Sequence, residues 1–376
     1  MSFSWKKRRA RNLIFGMGTG AVAAVSAAAV AGGVGTGFAV RKLIRMGQFS
    51  YNNGRLSTLG NPYVLKEELT PLIEGGSPQA FVRSLRWEIG VDENAPFREV
   101  DRGLVGSYHR TLERMMDEIV PPVRPMVQAF IWRAEGEEIK RLLRLLGRRD
   151  TPLFPVGEVT ADVERSMLSS GSVPVSLDQI GIHPLFSDIK RDASEGELPM
   201  GKLDLLFDRA CLKAFEELDG IPRSCRKGAR ALHGLLVDRY NVHVMLRGKE
   251  LALDREVLLS LLHEPTGAIA KGVLEPMADS SSVRDAVGAL AGTYVEDFLR
   301  HGVESGITDL EIALDRMLLE GAISISSSHY TTIGPTVRYL ISLEMELRNL
   351  RAVARAVASG WEPDRARSLL VVQEVS

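Results

Sequence analysis

Apolar residues recur at intervals of three and four along most of the chain after residue 47, the spacing that gives a helix one buried face. The segments 104–120, 123–146, 202–220, 225–248, 282–302, 310–322 and 335–360 all read this way. Their boundaries carry the matching punctuation: Pro121-Pro122 after the first, Gly147, Gly220, Gly248 and Gly360 after others, and Pro335 at the start of the last. Proline suits the first helical turn and glycine suits the residue past the end. The segment 154–201 is rich in Gly, Pro and Ser and predicts short helices joined by loops. No sustained period-two run rich in β-branched residues occurs, so the expected class is all-α.

One pattern inside these helices repeats. Glu135-x-x-Glu138-Ile139-x-x-Leu142-Leu143-Arg144, Asp238-x-x-Asn241-Val242-x-x-Met245-Leu246-Arg247 and Glu346-x-x-Asn349-Leu350-x-x-Val353-Ala354-Arg355 share one grammar. An acid is followed three residues later by Asn or Glu plus an apolar residue, then by two apolar residues and an arginine. The copies are spaced by roughly a hundred residues, a domain-sized interval, which predicts three related helical units rather than chance among amphipathic helices. The expected boundaries are 47–152, 153–262 and 263–376, behind an N-terminal segment 1–46. The acid and its Asn or Glu partner share a stripe beside the apolar face. They either pin a neighbouring helix or loop within each unit or line a central cavity, and their recurrence in every copy favours pinning.

Charge and composition narrow the function. Residues 1–45 hold eight Lys/Arg and no acid, so the remaining 39 bases face 48 acids. An acidic body is a poor general partner for nucleic acid. Two cysteines, Cys211 and Cys225, sit in no CxxC or Cys/His pattern, which argues for buried thiols rather than a disulfide framework.

Sites of chemistry are not evident. The seven histidines (His109, His183, His233, His243, His263, His301 and His329) form no HExxH, and His233 and His243 stand ten residues apart, about 280° around a helix. No GxSxG elbow, P-loop or dinucleotide fingerprint is present. Acid pairs such as Glu67-Glu68 and Glu137-Glu138 read as solvated helix faces. No catalytic residue, metal, cofactor or small-molecule substrate is expected.

The segment "VDRYNVHVMLRGKE" (237–250) resembles the Asp-x-x-Asn signature of the C subunit of archaeal/vacuolar-type rotary ATPases, called the d subunit in vacuolar proton pumps. Residues 333–360 resemble the family's C-terminal element through Gly334-Pro335, Tyr339, Glu346, Asn349-Leu350-Arg351 and Gly360. Residues 51–85, with Tyr51 and Arg55, resemble its opening, and Glu138 stands where the family shows Asn. The resemblance spans roughly residues 47–370. It implies three helical bundles in a funnel about a pseudo-threefold axis, on the cytoplasmic face of a membrane. Such a protein performs no chemistry. It couples the central-stalk subunits to the proteolipid ring during proton or sodium transport. A membrane-tethered helical scaffold unrelated to rotary pumps is the alternative.

The N-terminus is a separate matter. The uncharged run 12–40 is 29 residues long, enough to span a bilayer, and contains seven Gly and eight Ala. Its Gly16-x-x-x-Gly20 and Gly33-x-x-x-Gly37 spacings permit close helix approach. A membrane anchor, an insertion into the ring, a simple tether, or an upstream extension absent from the mature protein are the readings this stretch allows.

Overall fold

The computed structural model describes residues 62–146, 159–180, 200–216, 221–300 and 302–373, together with 47, 49–56, 58–59, 155–157, 186 and 189. Asn52–Ser376 forms one compact unit. Before it, the described residues 47 and 49–51 are helical. Among the described residues there is no strand, only an isolated bridge between Val156 and Val159. The all-α class is therefore as expected. No described helix is long and apolar enough to cross a membrane, and the run 12–40 lies outside the described residues.

Among the described residues, six long helices form the frame. They are α3 (Phe97–Glu118), α4 (Arg124–Leu143), α7 (Met200–Glu216), α8 (Arg223–Glu250), α13 (Ile307–Ser328) and α14 (Gly334–Ala358). Each packs on the next, α3 on α4, α4 on α7, α7 on α8, α8 on α13, α13 on α14, and α14 returns to α3. The circuit is closed. Apolar faces at helical spacing drive each joint: Phe130 of α4 meets Phe215 of α7 edge-to-face at 5.3 Å between ring centroids. The three repeat motifs fall on α4, α8 and α14, the second helix of each successive pair.

Short helices decorate the frame in the same rhythm. The pairs α1 (Lys66–Glu74) with α2 (Pro78–Ser84), α5 (Ala161–Ser170) with α6 (Val173–Ile180), and α10 (Lys271–Asp279) with α11 (Val283–Gly288) each pack internally. Serine marks their joints. Ser77 Oγ accepts from Ala80 N at 3.1 Å and Ser282 Oγ from Asp285 N at 3.1 Å, satisfying otherwise unpaired first-turn donors. Ser170 Oγ donates to Met167 O and Ser280 Oγ to Met277 O, both at 2.7 Å. Each short pair sits on a motif helix: α10 and α11 on α8, α5 on α4, and α1 and α2 on α14. The first pair of the chain thus packs on its last long helix. Leu69, Leu72, Ile73 and Phe81 bury against Leu350, Val353 and Ala354. Gln373 N donates to Val64 O at 2.8 Å and Asn52 Nδ2 to Thr336 Oγ1 at 3.0 Å across the same junction. The helices α9 (Arg255–Leu261), α12 (Glu296–Leu299) and α15 (Pro363–Ser368) and a 3-10 turn at Pro121–Val123 are the other named elements.

One expected helix is broken. Residues 282–302 do not form a continuous helix but α11 and α12 separated by turns. Gly292 sits at φ +78°, a left-handed conformation that ends helical propagation, and the Gly292 N–H donates to Glu296 Oε2 instead. In 154–201 the described helices α5 and α6 are short, in keeping with the punctuation there. The other long helices match the expected segments to within several residues, α3 starting earlier at Phe97, just after Pro96, and α13 running six residues further, to Ser328.

Candidate functional site

The motif acids turn away from the frame's centre, toward the loop that enters the next short helix pair. Asp238 is 2% exposed and accepts from Ala268 N at 2.8 Å, Ile269 N at 3.1 Å and Tyr294 Oη at 3.0 Å, just ahead of α10. Burial pushes its carboxyl above the ordinary range, against these three donors. A Cβ on Gly267 would overlap the Asp238 carboxylate, so the loop passes there as bare backbone. Glu346 accepts from the Tyr63 backbone N–H, just ahead of α1, and from the Trp87 indole. Its burial raises the pKa to about 8 despite those bonds. Glu135 lies against Gly157, a left-handed glycine (φ +58°) ahead of α5, where a Cβ would again collide with the carboxylate.

The residue three positions on is a backbone clamp in two units. Asn241 Oδ1 accepts from His263 N at 2.9 Å while its Nδ2 donates to His263 O at 3.1 Å. Asn349 Oδ1 accepts from Val371 N at 2.8 Å, and its Nδ2 donates to Val371 O at 2.8 Å and Tyr63 O at 3.3 Å. Both clamps seize a residue 22 positions downstream. Glu138 instead takes ion pairs from the buried Arg102, at 3.0 Å, and from Arg141. The motif arginines diverge: Arg144 meets Asp204 at 2.5 Å, Arg247 meets Glu311 at 2.6 Å, and Arg355 is exposed.

The family-motif positions sit elsewhere. Tyr51 is exposed, and Arg55 pairs with Glu118 at 2.6 Å. Gly334 and Pro335 open α14. A Cβ at Gly334 would stand 2.7 Å from Ser326 O and 2.8 Å from His329 O, so the α13–α14 turn closes only around glycine. Tyr339 is buried, with its phenol pushed upward by desolvation.

What faces inward is a second stripe, which the repeated residue types do not reveal. A cleft of about 390 Å³ is enclosed by α4, α7, α8, α13 and α14. Its walls include Arg133, Glu137 and Lys140 from α4, Leu236, Tyr240 and His243 from α8, and Glu344, Arg348 and Arg351 from α14. Counted from each motif acid, these are positions −2, +2 and +5 in all three helices. On a helix those positions fall roughly 160° from the motif pair, which explains why the acid and clamp look outward while the stripe looks in. None of the motif acids or clamps lines the cleft.

The cleft is charged but internally paired. Asp315 takes Arg239 Nε at 2.8 Å and Arg348 Nε at 2.9 Å. Burial alone would raise its pKa, yet the two guanidiniums hold it below the ordinary value. Lys140 bridges Asp208 at 2.7 Å and Glu137 at 2.5 Å, Arg133 meets Glu344 at 2.9 Å, and His243 meets Glu311 at 2.9 Å. Burial opposes the charge of Lys140, but Asp208 and Glu137 keep it above the ordinary lysine range. Cys211, also on the wall, is a free thiol that burial pushes up to about 12 and therefore a poor nucleophile.

A family model described as ATP synthase (C/AC39) subunit matches residues 53–369. The chain belongs to this family. Among its relatives, the A-type ATP synthase C subunit of Pyrococcus horikoshii is 26% identical over 347 residues, covering 86% of this chain and 90% of the relative. That of Methanocaldococcus jannaschii is 21% identical over 351 residues, with 88% of each chain covered. That of Methanobrevibacter smithii is 28% identical over 320 residues, covering 80% of this chain and 81% of the relative. The matched span of the family model contains all three motifs, both clamp asparagines and the complete cleft wall.

Proposed function

We propose that the protein is a non-catalytic subunit of a V/A-type rotary ATP synthase, joining the central-stalk subunits to the membrane proteolipid ring during proton or sodium transport. The closed circuit of three long-helix pairs, with one inward stripe on the second helix of each pair, charged on α4 and α14, supports this reading. A torque coupling must hold a partner without deforming, which favours packed helices locked to one another. It also needs a socket that stays soluble when empty, and walls whose charges are mutually paired meet that need. In this reading Glu135, Asp238, Glu346, Asn241 and Asn349 are structural pins. Each ties its helix to the loop that starts the following unit, and Glu346 and Asn349 tie the last unit to the first. The three units correspond to the repeats 47–152, 153–262 and 263–376 about a pseudo-threefold axis. The cleft between them receives the stalk. The body works at the cytoplasmic face of the membrane, and the run 12–40 supplies an anchor or inserts into the ring.

The test is affinity purification of the tagged full chain from native membranes in mild detergent. Co-purification of stalk subunits and ring proteolipid is the expected result. Recovery of the chain without either would favour a membrane-tethered scaffold outside rotary pumps.

A further inference from the structure

Outside the cleft, three side chains able to ligate a metal converge, although no metal-binding spacing marks them in the sequence. Glu216 ends α7, His233 lies in α8, and His263 follows α9. One ligand atom from each falls within 4.8 Å of the other two. His263 Nε2 stands 3.0 Å from Glu216 Oε1, and the His233 and His263 ring centroids are 5.5 Å apart at an interplanar angle of 77°. His243, on the same helix as His233, faces the cleft instead.

Several features go beyond a chance meeting. His263 Nδ1 lies 3.1 Å from Glu264 O. If Nδ1 carries the proton for that bond, the Nε2 lone pair faces the Glu216 carboxylate. Two acceptors at 3.0 Å need a proton or a cation between them. His233 is 8% exposed, its Nδ1 is 3.3 Å from Thr266 Oγ1, and its Nε2 is buried with no hydrogen-bond partner. The backbone of His263 is the one clamped by Asn241, so the ring is mounted on a fixed support.

The geometry suits a small divalent transition metal such as zinc. Zinc–ligand distances of about 2.0–2.1 Å in a tetrahedron put adjacent donor atoms about 3.3 Å apart and two imidazole centroids about 5 Å apart. The observed 3.0 Å and 5.5 Å need only small side-chain adjustments. A cavity of about 180 Å³, lined by Glu216, His233, Arg226 and Arg230 among others, adjoins the group. It leaves room for a fourth, water-derived or anionic ligand, which the two guanidiniums favour.

We propose that Glu216, His233 and His263 bind a divalent transition metal of the zinc class, with the fourth position open to the adjoining cavity. The ion ties the end of α7, the middle of α8 and the segment after α9 into one joint.

The test uses the full chain without a histidine tag, stripped of metal with a chelator and titrated with Co²⁺ while the visible spectrum is followed. One equivalent should give the intense d–d bands of a four- or five-coordinate ion, displaced by one equivalent of Zn²⁺, with Tm rising as zinc is added. Glu216→Gln alters a partly exposed side chain and leaves the core intact, and it should weaken zinc binding at least roughly tenfold. His233→Gln should do the same or more, whereas His329→Gln should leave affinity unchanged. Far-UV circular dichroism of each metal-free variant checks the fold. Absence of saturable Co²⁺ binding, or zinc affinity undiminished in Glu216→Gln and His233→Gln, overturns the proposal and leaves an ordinary Glu216–His263 ion pair beside a packed His233.

Discussion

An asparagine amide can hold a strand of backbone from both sides, because it offers an acceptor and two donors on one rigid plane. Asn241 does this to His263 and Asn349 to Val371. Removing such a side chain leaves a buried N–H and C=O with no replacement, so Asn241→Ala should cost about 2–4 kcal/mol of stability, read as a lower denaturation midpoint. Glu346 gives a pH-dependent counterpart. Its folded pKa of about 8 lies above the ordinary 4.5, so folding takes up a proton and the carboxylate form is the costly one. The stability associated with the protonated form is complete below about pH 4.5 and is lost as the pH rises through about 8. Glu346→Gln, which mimics the neutral acid, should therefore gain stability relative to the parent as the pH is raised across that window. Denaturation midpoints of both proteins over that range check the sign. Glu138 shows the limit of reading by type alone. It fills the clamp position but holds Arg102 and Arg141 rather than backbone, since a carboxylate lacks the donor a two-sided clamp requires.

At the level of elements, the long helices are legible in the sequence because periodic apolar residues and Pro/Gly boundaries act locally. The motif is legible because its residue types recur. The cleft stripe is not, because position recurs there while chemistry does not: Arg133, Leu236 and Glu344 are equivalent, as are Glu137, Tyr240 and Arg348, and Lys140, His243 and Arg351. Their residue types do not repeat, but they share the helix face opposite the motif pair. The break at 289–295 escapes for another reason, since apolar spacing continues through a segment whose Gly292 adopts a left-handed turn. The loops ahead of the short pairs carry their own prediction. Gly267→Ala forces a methyl group into the Asp238 carboxylate and should cost about 1–3 kcal/mol, visible as a lowered Tm. An alanine at Gly272, where nothing lies within 4 Å of the added carbon, is the control and should leave Tm nearly unchanged.

For the whole molecule, closure is the property that matters. The first short pair and the last long helix share one apolar cluster, and the residues that complete it, Ala366 and Leu370, come from the chain's final turns. Ending the chain after Gly360 removes those residues and the Val371 partner of Asn349, so the truncated protein should unfold at a clearly lower denaturant concentration. If the closed circuit is a socket for the stalk, its inner wall must meet that partner in the assembled enzyme. A photo-crosslinking residue in place of Glu137, a cleft-wall position whose side chain is 58% exposed, tests this most directly when compared with one in place of the exposed Arg255. In the intact complex, adducts to a central-stalk subunit are expected from position 137 and none to it from position 255. Adducts to the stalk from 255 alone, or none to it from 137, would contradict a socket role.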